Sequence, residues 1–327
     1  MIWWTWRQFR TQAVVAAVLL AVLATALVVF GLHLRQEYRA AAADCSGPAG
    51  CVAQLAQFQD SYRNPLYLLD ALLILAPALV GMFWGAPLVA RELETGTHRL
   101  VWNQSITRQR WLTVKLALSG LAAMAVVGLS SVLLTWAASP YDAVAGDRFT
   151  ALLFGARNIA PVGYALFTMV LGTVFGLLVR RTVPAMALTF VLVVAVQVLV
   201  PTAIRPHLAP PVVAAYPVTA DTVRNLTFLG SEADIGGLRV PDAWVVSHSK
   251  LLGADGRQVD QARYDRCLGG GFDGVADCLG ALDLHVEVTY QPGHRYWTFQ
   301  WRESGLYLAA ALLLAGLGRW VVRRRIG

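Results

Sequence analysis

The chain lacks the short motifs that carry most soluble chemistry. No GxxxxGK[ST] phosphate loop occurs, so the sequence offers no such ATP site. No GxSxG, HExxH or CxxC is present either. Charge is scarce: 14% of the 327 residues are Asp, Glu, Lys or Arg, against about 25% in soluble globular domains. Lysine is almost missing, with 2 Lys against 25 Arg, a bias that fits a bacterial source. Cysteine is limited to four residues, Cys45, Cys51, Cys267 and Cys278.

What fills the chain instead is apolar. Hydrophobic residues make up 57% and the mean hydropathy is +0.53, which excludes a soluble globule and predicts an all-α polytopic membrane protein. Six runs are long enough to cross a hydrocarbon core of about 30 Å, which takes roughly 20 helical residues. They are Ala13–Gly31, Leu66–Val89, Leu112–Ala138, Ile159–Val179, Val183–Val200 and Gly305–Val322.

The net charge of +7 does not point to nucleic acid, because its distribution is topological. With both termini in the cytoplasm, the inner side, counting Lys115 and Arg319 at span ends, holds 13 Arg/Lys and 2 Asp/Glu. The outer segments hold 14 and 17, a contrast of +11 against −3. Basic residues mark the cytoplasmic side, so a multi-pass plasma-membrane protein is expected. Both cysteine pairs then fall outside, where disulfides form. Cys45–Cys51 and Cys267–Cys278 are the expected pairs by proximity; cross-pairing and four free thiols remain the alternatives.

Three domains are expected. Residues 1–200 hold spans one to five, with a cytoplasmic segment at 90–111; 201–303 form an extracytoplasmic domain; 304–327 hold the sixth span and a basic tail. Met1–Gln12, with Trp3, Trp4 and Trp6 among Arg7 and Arg10, reads as a short interfacial helix before the first span. Val52–Arg63 reads as an amphipathic helix ended by Asn64-Pro65. In the insertion, Trp244–Ser249 and Leu284–Tyr290 alternate like strands, and a mixed or loop-rich structure is expected. His285 and Glu287 share a strand face, but two residues make an incomplete metal site, so no metal is expected. Asn225-Leu-Thr227 matches a glycosylation acceptor, which means little if the source is bacterial.

Asp70 lies about one turn inside the second span. It is either a substrate or proton site, or else an acid at headgroup depth or one paired with an Arg such as Arg63 or Arg157. A structural rather than a functional acid is favoured because Asp70 is away from the bilayer centre. Gln197 is placed to hydrogen-bond across helices, and Gly172–Gly176, a GxxxG match, permits close helix approach within one subunit. Asp70, Arg157 and Gln197 are the candidate residues of a pathway or outer interface.

The polar island Ala90–Lys115 organises the chain. Gly96 supplies the dihedral freedom for a turn, and Thr97 a cap for a following helix. Leu100, Val101 and Trp102 form an apolar patch among His98, Arg99, Asn103 and Gln104, a plausible docking knob. Arg91-Glu92-Leu93-Glu94-Thr95-Gly96-Thr97 resembles the R-E-x-E-x-G-T signature after the second span of ABC type-2 exporter permeases, the type V ABC transporter fold. Ser105-Ile106-Thr107-Arg108 is similar to that family's turn into the third span. The resemblance implies that residues 98–104 form a short coupling helix that docks on a separate ATP-binding subunit. It also implies a second permease subunit, as homodimer or heterodimer, within the lipid bilayer. ATP and Mg would then sit on the partner ATPase, with no cofactor and no catalytic residue on this chain. Two rival classes are kept: a membrane-anchored envelope enzyme, and a ligand sensor acting through the extracytoplasmic domain.

Overall fold

The computed structural model describes all residues except 1, 44–46, 98–106, 147, 227, 231–232, 234, 239, 241–242, 270 and 326–327. Among the described residues, six helices are long and apolar enough to cross a membrane: Ala13–Ala43, Gly50–Glu94, Arg108–Ala145, Ala160–Val179, Thr182–His207 and Gly293–Arg324. The chain is a multi-pass membrane protein. It divides into two compact units, one of residues 1–205 with 298–327 and one of residues 206–297.

In the first unit, α1 runs unbroken over Ile2–Ala43. The stretch expected as a separate interfacial helix is the start of this rod, since no Gly or Pro interrupts residues 2–30. Helix α2, Gly47–Val80, carries both Pro65 and Pro77 inside it. The expected stop at Asn64-Pro65 therefore does not occur. Packing overrides the local penalty, because Phe58 and Leu66, on either side of the break, share one buried cluster with Leu34, Ala138 and Tyr141.

A wide turn of π-helix, Gly81–Gly85, follows Pro77 and leads into α3, Pro87–Glu94. The next helix, α4, spans Arg108–Ala145 and runs through Pro140. Its N-cap is Thr107, whose hydroxyl accepts from Arg110 N at 3.3 Å. A short α5, Ala151–Ala156, precedes α6, Ala160–Val179, and α7, Thr182–Leu199.

Helix α6 is the buried axis of this unit. Gly172 and Gly176 lie against Gly81, Ala86 and Ala90; a Cβ on Gly172 would stand 2.2 Å from Gly81 O, and one on Gly176 2.6 Å from Ala86 O. Gly81 and Gly85 form a second GxxxG on the facing segment. The four glycines let two backbones approach without side chains between them. Thr168 and Thr173 hydroxyls donate to Pro77 O and Gly85 O at 2.7 and 3.2 Å. Both bonds tie α6 to the segment between Pro77 and Gly85.

The second unit is α/β. Strands β1, Val212–Pro217, β4, Ala243–His248, and β5, His285–Pro292, form an antiparallel sheet in the order β1-β5-β4, and β2, Phe228–Leu229, pairs with β3, Ile235–Gly236. Along β5, Val286 and Val288 are buried while Glu287 is exposed, the alternation of a half-buried strand. Helices α8, Ala220–Arg224, α9, Gln261–Cys267, and α10, Phe272–Gly280, complete this unit. Its core gathers Val223, Ile235, Leu251, Tyr264 and the β5 valines. Cys267 is joined to Cys278, clamping α9 to α10. Cys45 lies outside the described residues, and the expected Cys45–Cys51 pairing with it. Helix α11, Tyr296–Arg325, closes the chain.

Candidate functional site

The candidate coupling segment begins where α3 ends. Thr95 closes that helix twice, through its N–H and its hydroxyl to Arg91 O at 3.0 and 2.8 Å. Gly96 then takes φ +73°, with no atom of the described residues within 4 Å of where a Cβ would be. That backbone region favours glycine on conformational grounds alone. Thr95 and Thr97 hydroxyls are 3.1 Å apart. His98, Arg99, Leu100, Val101, Trp102, Asn103 and Gln104 lie outside the described residues. The chain returns at Thr107, the N-cap of α4.

Two carboxylates tie the root of this segment to other spans. Glu92 is buried and accepts from Lys115 Nζ of α4 at 2.5 Å; the same ammonium reaches Leu88 O at 3.3 Å. Lys115 is 3% exposed and lies over the Trp111 ring at 4.8 Å. Trp111 belongs to an apolar cluster with Val89, Leu112, Leu177 and Val322. Glu94 points the other way. Its Oε2 accepts from Thr182 N at 3.0 Å and from the Thr182 hydroxyl at 2.7 Å. Thr182 opens α7, so Glu94 satisfies an orphan donor of that helix and places a negative charge at its positive end. Arg91 is exposed.

At the opposite end of the bundle the remaining candidates sit in two buried networks. Asp70 is fully buried and holds Arg157 bidentately, at 2.9 Å from Nε and 2.8 Å from Nη2; Arg157 also bonds Asp142. Burial opposes the charged form of Arg157, and the two carboxylates outweigh it, raising its pKa. This fork joins α2, α4 and the turn before α6. Of the two readings of Asp70, the ion pair with Arg157 is the one observed. Gln197 of α7 donates to Ile74 O of α2 at 2.7 Å.

The second network was not apparent in the sequence. Arg205 is 1% exposed and forks onto Glu303 at 2.7 and 3.0 Å, while Tyr164 donates to the same carboxylate. The Arg205 guanidinium lies 4.0 Å over the Phe154 ring. Gln300 accepts from Ala160 N at 2.9 Å and donates to Phe154 O at 3.1 Å. Arg205 and Glu303 stand close to the points where the inserted unit leaves and rejoins the bundle, which is the one signal in the sequence that two charges flank it. Among the described residues, no group of three or more His, Cys, Asp or Glu could hold a metal ion.

A family model described as ABC-2 membrane transporter related matches residues 17–205, more than half of the chain. The chain belongs to this family. The matched region of this ABC-2 family member contains α2 to α7 and with them the segment root, the two GxxxG pairs and the Asp70–Arg157 fork. Neither the curated proteins nor the solved structures provide a match.

Proposed function

We propose that this chain is the permease subunit of an ATP-driven ABC exporter, driven by ATP-binding subunits on separate chains. Two permease subunits, identical or not, would form the substrate pathway. Both termini and the segment 91–105 would face the cytoplasm, and the inserted unit would face outward, as the +11 against −3 charge asymmetry favours. ATP and Mg would bind the partner, since this sequence carries no GxxxxGK[ST].

The observation that carries this reading is the double anchoring of the segment root. Glu92 fastens it to α4 and Glu94 fastens it to α7, while Gly172 and Gly176 hold α3 and the preceding turn against α6. A displacement of residues 98–104 by a partner is therefore delivered to three spans at once. A solvated loop has no use for two committed carboxylates, one of them buried at 9% exposure. Alternating access needs such a two-state element, biased by nucleotide on the partner.

Affinity purification of the full chain in mild detergent tests the reading. The expected result is an ATPase at one copy per permease chain. A chain that purifies without any ATPase under conditions that preserve its own fold overturns it.

A further inference from the structure

The sheet of the inserted unit has two edges that are built differently. β4 is interrupted by a bulge between Val245 and Ser247, one of the devices that blunt an edge strand. β1 has no bulge. It pairs with β5 in an unbroken register from Val212 to Pro217, and residues 211–218 carry no charged side chain. Among the described residues no strand lies beyond it. Its approach is held firmly: Gln291, fully buried, donates to Ala209 O at 2.8 Å, and Arg295 donates to Pro210 O at 2.7 Å.

Strand alternation fixes which backbone groups of β1 face outward. Val218 N donates to Leu284 O at 2.8 Å. Counting back from there, Tyr216, Ala214 and Val212 turn their N–H and C=O toward β5, and Ala215 and Val213 turn theirs away. Glu287, opposite Ala215, agrees: its N–H and C=O turn to the far side and bond the Ser249 hydroxyl and N–H at 3.0 and 2.9 Å. The side chains of Val213, Ala215 and Pro217 are exposed, Val213 at 60%. Pro211 and Pro217 have no N–H, so the outward donors are confined to Val213 and Ala215.

An edge of this form is complementary to itself. Two β1 strands running antiparallel across a twofold axis at Ala214 set Val213 of each copy opposite Ala215 of the other. Each of these residues then both donates and accepts, which makes roughly four hydrogen bonds. The directly opposed pair at the axis is Ala214 with its own copy, small enough for a Cα separation of about 4.5 Å. No charge meets its like. At the usual net worth of a hydrogen bond, so short a ladder falls short of micromolar affinity for a free peptide. It suits a second copy already confined to the same bilayer, where the contact is made at high effective concentration. Pairing uses up the open edge of both chains, so the assembly closes at two.

We propose that β1 is a homodimer contact, pairing antiparallel with β1 of a second copy of this chain and joining the two sheets into one. The inference rests on the reading of two permease subunits; it adds that they are identical and names where they touch.

Single cysteines at Val213, Ala215 or Ser247 are placed in the full chain, with Cys45 and Cys51 replaced by Ser and the Cys267–Cys278 bond kept, and membranes are treated with a short bismaleimide. Across the proposed axis the two copies of Val213, and likewise of Ala215, stand about 8 Å apart by strand spacing and rise. Linked dimers are expected from Val213→Cys and Ala215→Cys and none from Ser247→Cys, which lies on the other edge strand. Ala215→Pro, added to the Val213→Cys chain, removes one outward donor from each copy and leaves the ladder to β5 intact. Strand pairing should fall about thirtyfold, the loss expected for two hydrogen bonds. Ala215→Lys keeps every backbone donor and should also lower linking, and mixing it with Ala215→Glu should restore it. Linking unchanged in both Ala215→Pro and Ala215→Lys overturns the proposal, as does linking from Ser247→Cys alone. Native mass spectrometry from nanodiscs separates the remaining outcomes. A dimer of this chain, with itself or with another permease, that is unlinked at β1 overturns the proposal and leaves the two-subunit reading standing. A monomer overturns both.

Discussion

The Glu94 carboxylate accepts both the backbone N–H and the hydroxyl of Thr182, at 3.0 and 2.7 Å, across 88 residues of sequence. The last residue of α3 thus caps the first residue of α7. Any tilt of α3 must either break this cap or carry α7 with it.

Glu94→Gln keeps the shape and weakens the cap, because a neutral acceptor gains less from the helix dipole; Glu94→Ala removes it. The expected outcome is less transport per ATP hydrolysed, Ala worse than Gln, with assembly intact. Thr182→Val should reproduce the defect. Turnover and transport in reconstituted vesicles measure both, and unchanged coupling in Glu94→Ala would show that α7 moves independently of α3.

Glu92 and Lys115 are both buried, with the ammonium over the Trp111 ring, so truncating one partner strands a charge. Lys115→Met should destabilise the fold by about 3–5 kcal/mol. The double variant Glu92→Met with Lys115→Met should recover most of that, since a packed apolar pair often replaces a buried ion pair at little cost. Thermal unfolding of the three variants in detergent gives the comparison. A double variant as unstable as the single one would show that the pair does more than neutralise itself.

Gly172 admits no side chain, with Gly81 O 2.2 Å from the position of a Cβ. Gly172→Ala should force α6 away from the π turn and cost about 1–3 kcal/mol by overpacking. Because α3 leans on the same face, the variant should also lower ATP-coupled transport. Gly316→Ala, where nothing lies within 4 Å, is the matched control and should be neutral in both assays.

Trp102 is the largest apolar side chain in the candidate docking segment, and aromatic anchors at interfaces typically contribute about 2 kcal/mol or more. Trp102→Ala should therefore lower co-purification of the ATPase roughly thirtyfold in apparent affinity. Membrane insertion should not change. Wild-type assembly and coupling in Trp102→Ala would leave the segment without its proposed anchor.

Topology and the disulfide can be tested together. A single reporter cysteine at Asp255, placed in a Cys-free background, should label from outside intact cells, and one at Arg99 should not; the reverse pattern contradicts the proposed orientation. Removing the Cys267–Cys278 bond, which closes a loop with a separation of 11 residues, should lower the stability of the inserted unit by about 2–3 kcal/mol. Limited proteolysis between residues 261 and 280, with and without reductant, reads that loss.

Much was settled by sequence alone, because bilayer thickness and helix rise fix how long an apolar run must be. The six spans, the polar island between the second and third, and the strands at Trp244–Ser249 and Leu284–Tyr290 follow from length and period. So does the close-packing capacity of Gly172 and Gly176, since an absent side chain is visible in the letter itself. What only the tertiary structure decided is partnership and continuity. Pro65 marks a local weakness, yet Phe58 and Leu66 pack into one cluster and carry α2 through it. Asp70 had two possible partners, and the turn before α6 delivers Arg157 rather than Arg63. Glu94 has no partner that its neighbours in sequence reveal, and the return of α7 supplies Thr182. Arg205 and Glu303, 98 residues apart, meet because the inserted unit leaves and rejoins the bundle at neighbouring points. Hydrophobic periodicity is a property of neighbours along the chain, whereas an ion pair depends on which helices the fold sets side by side.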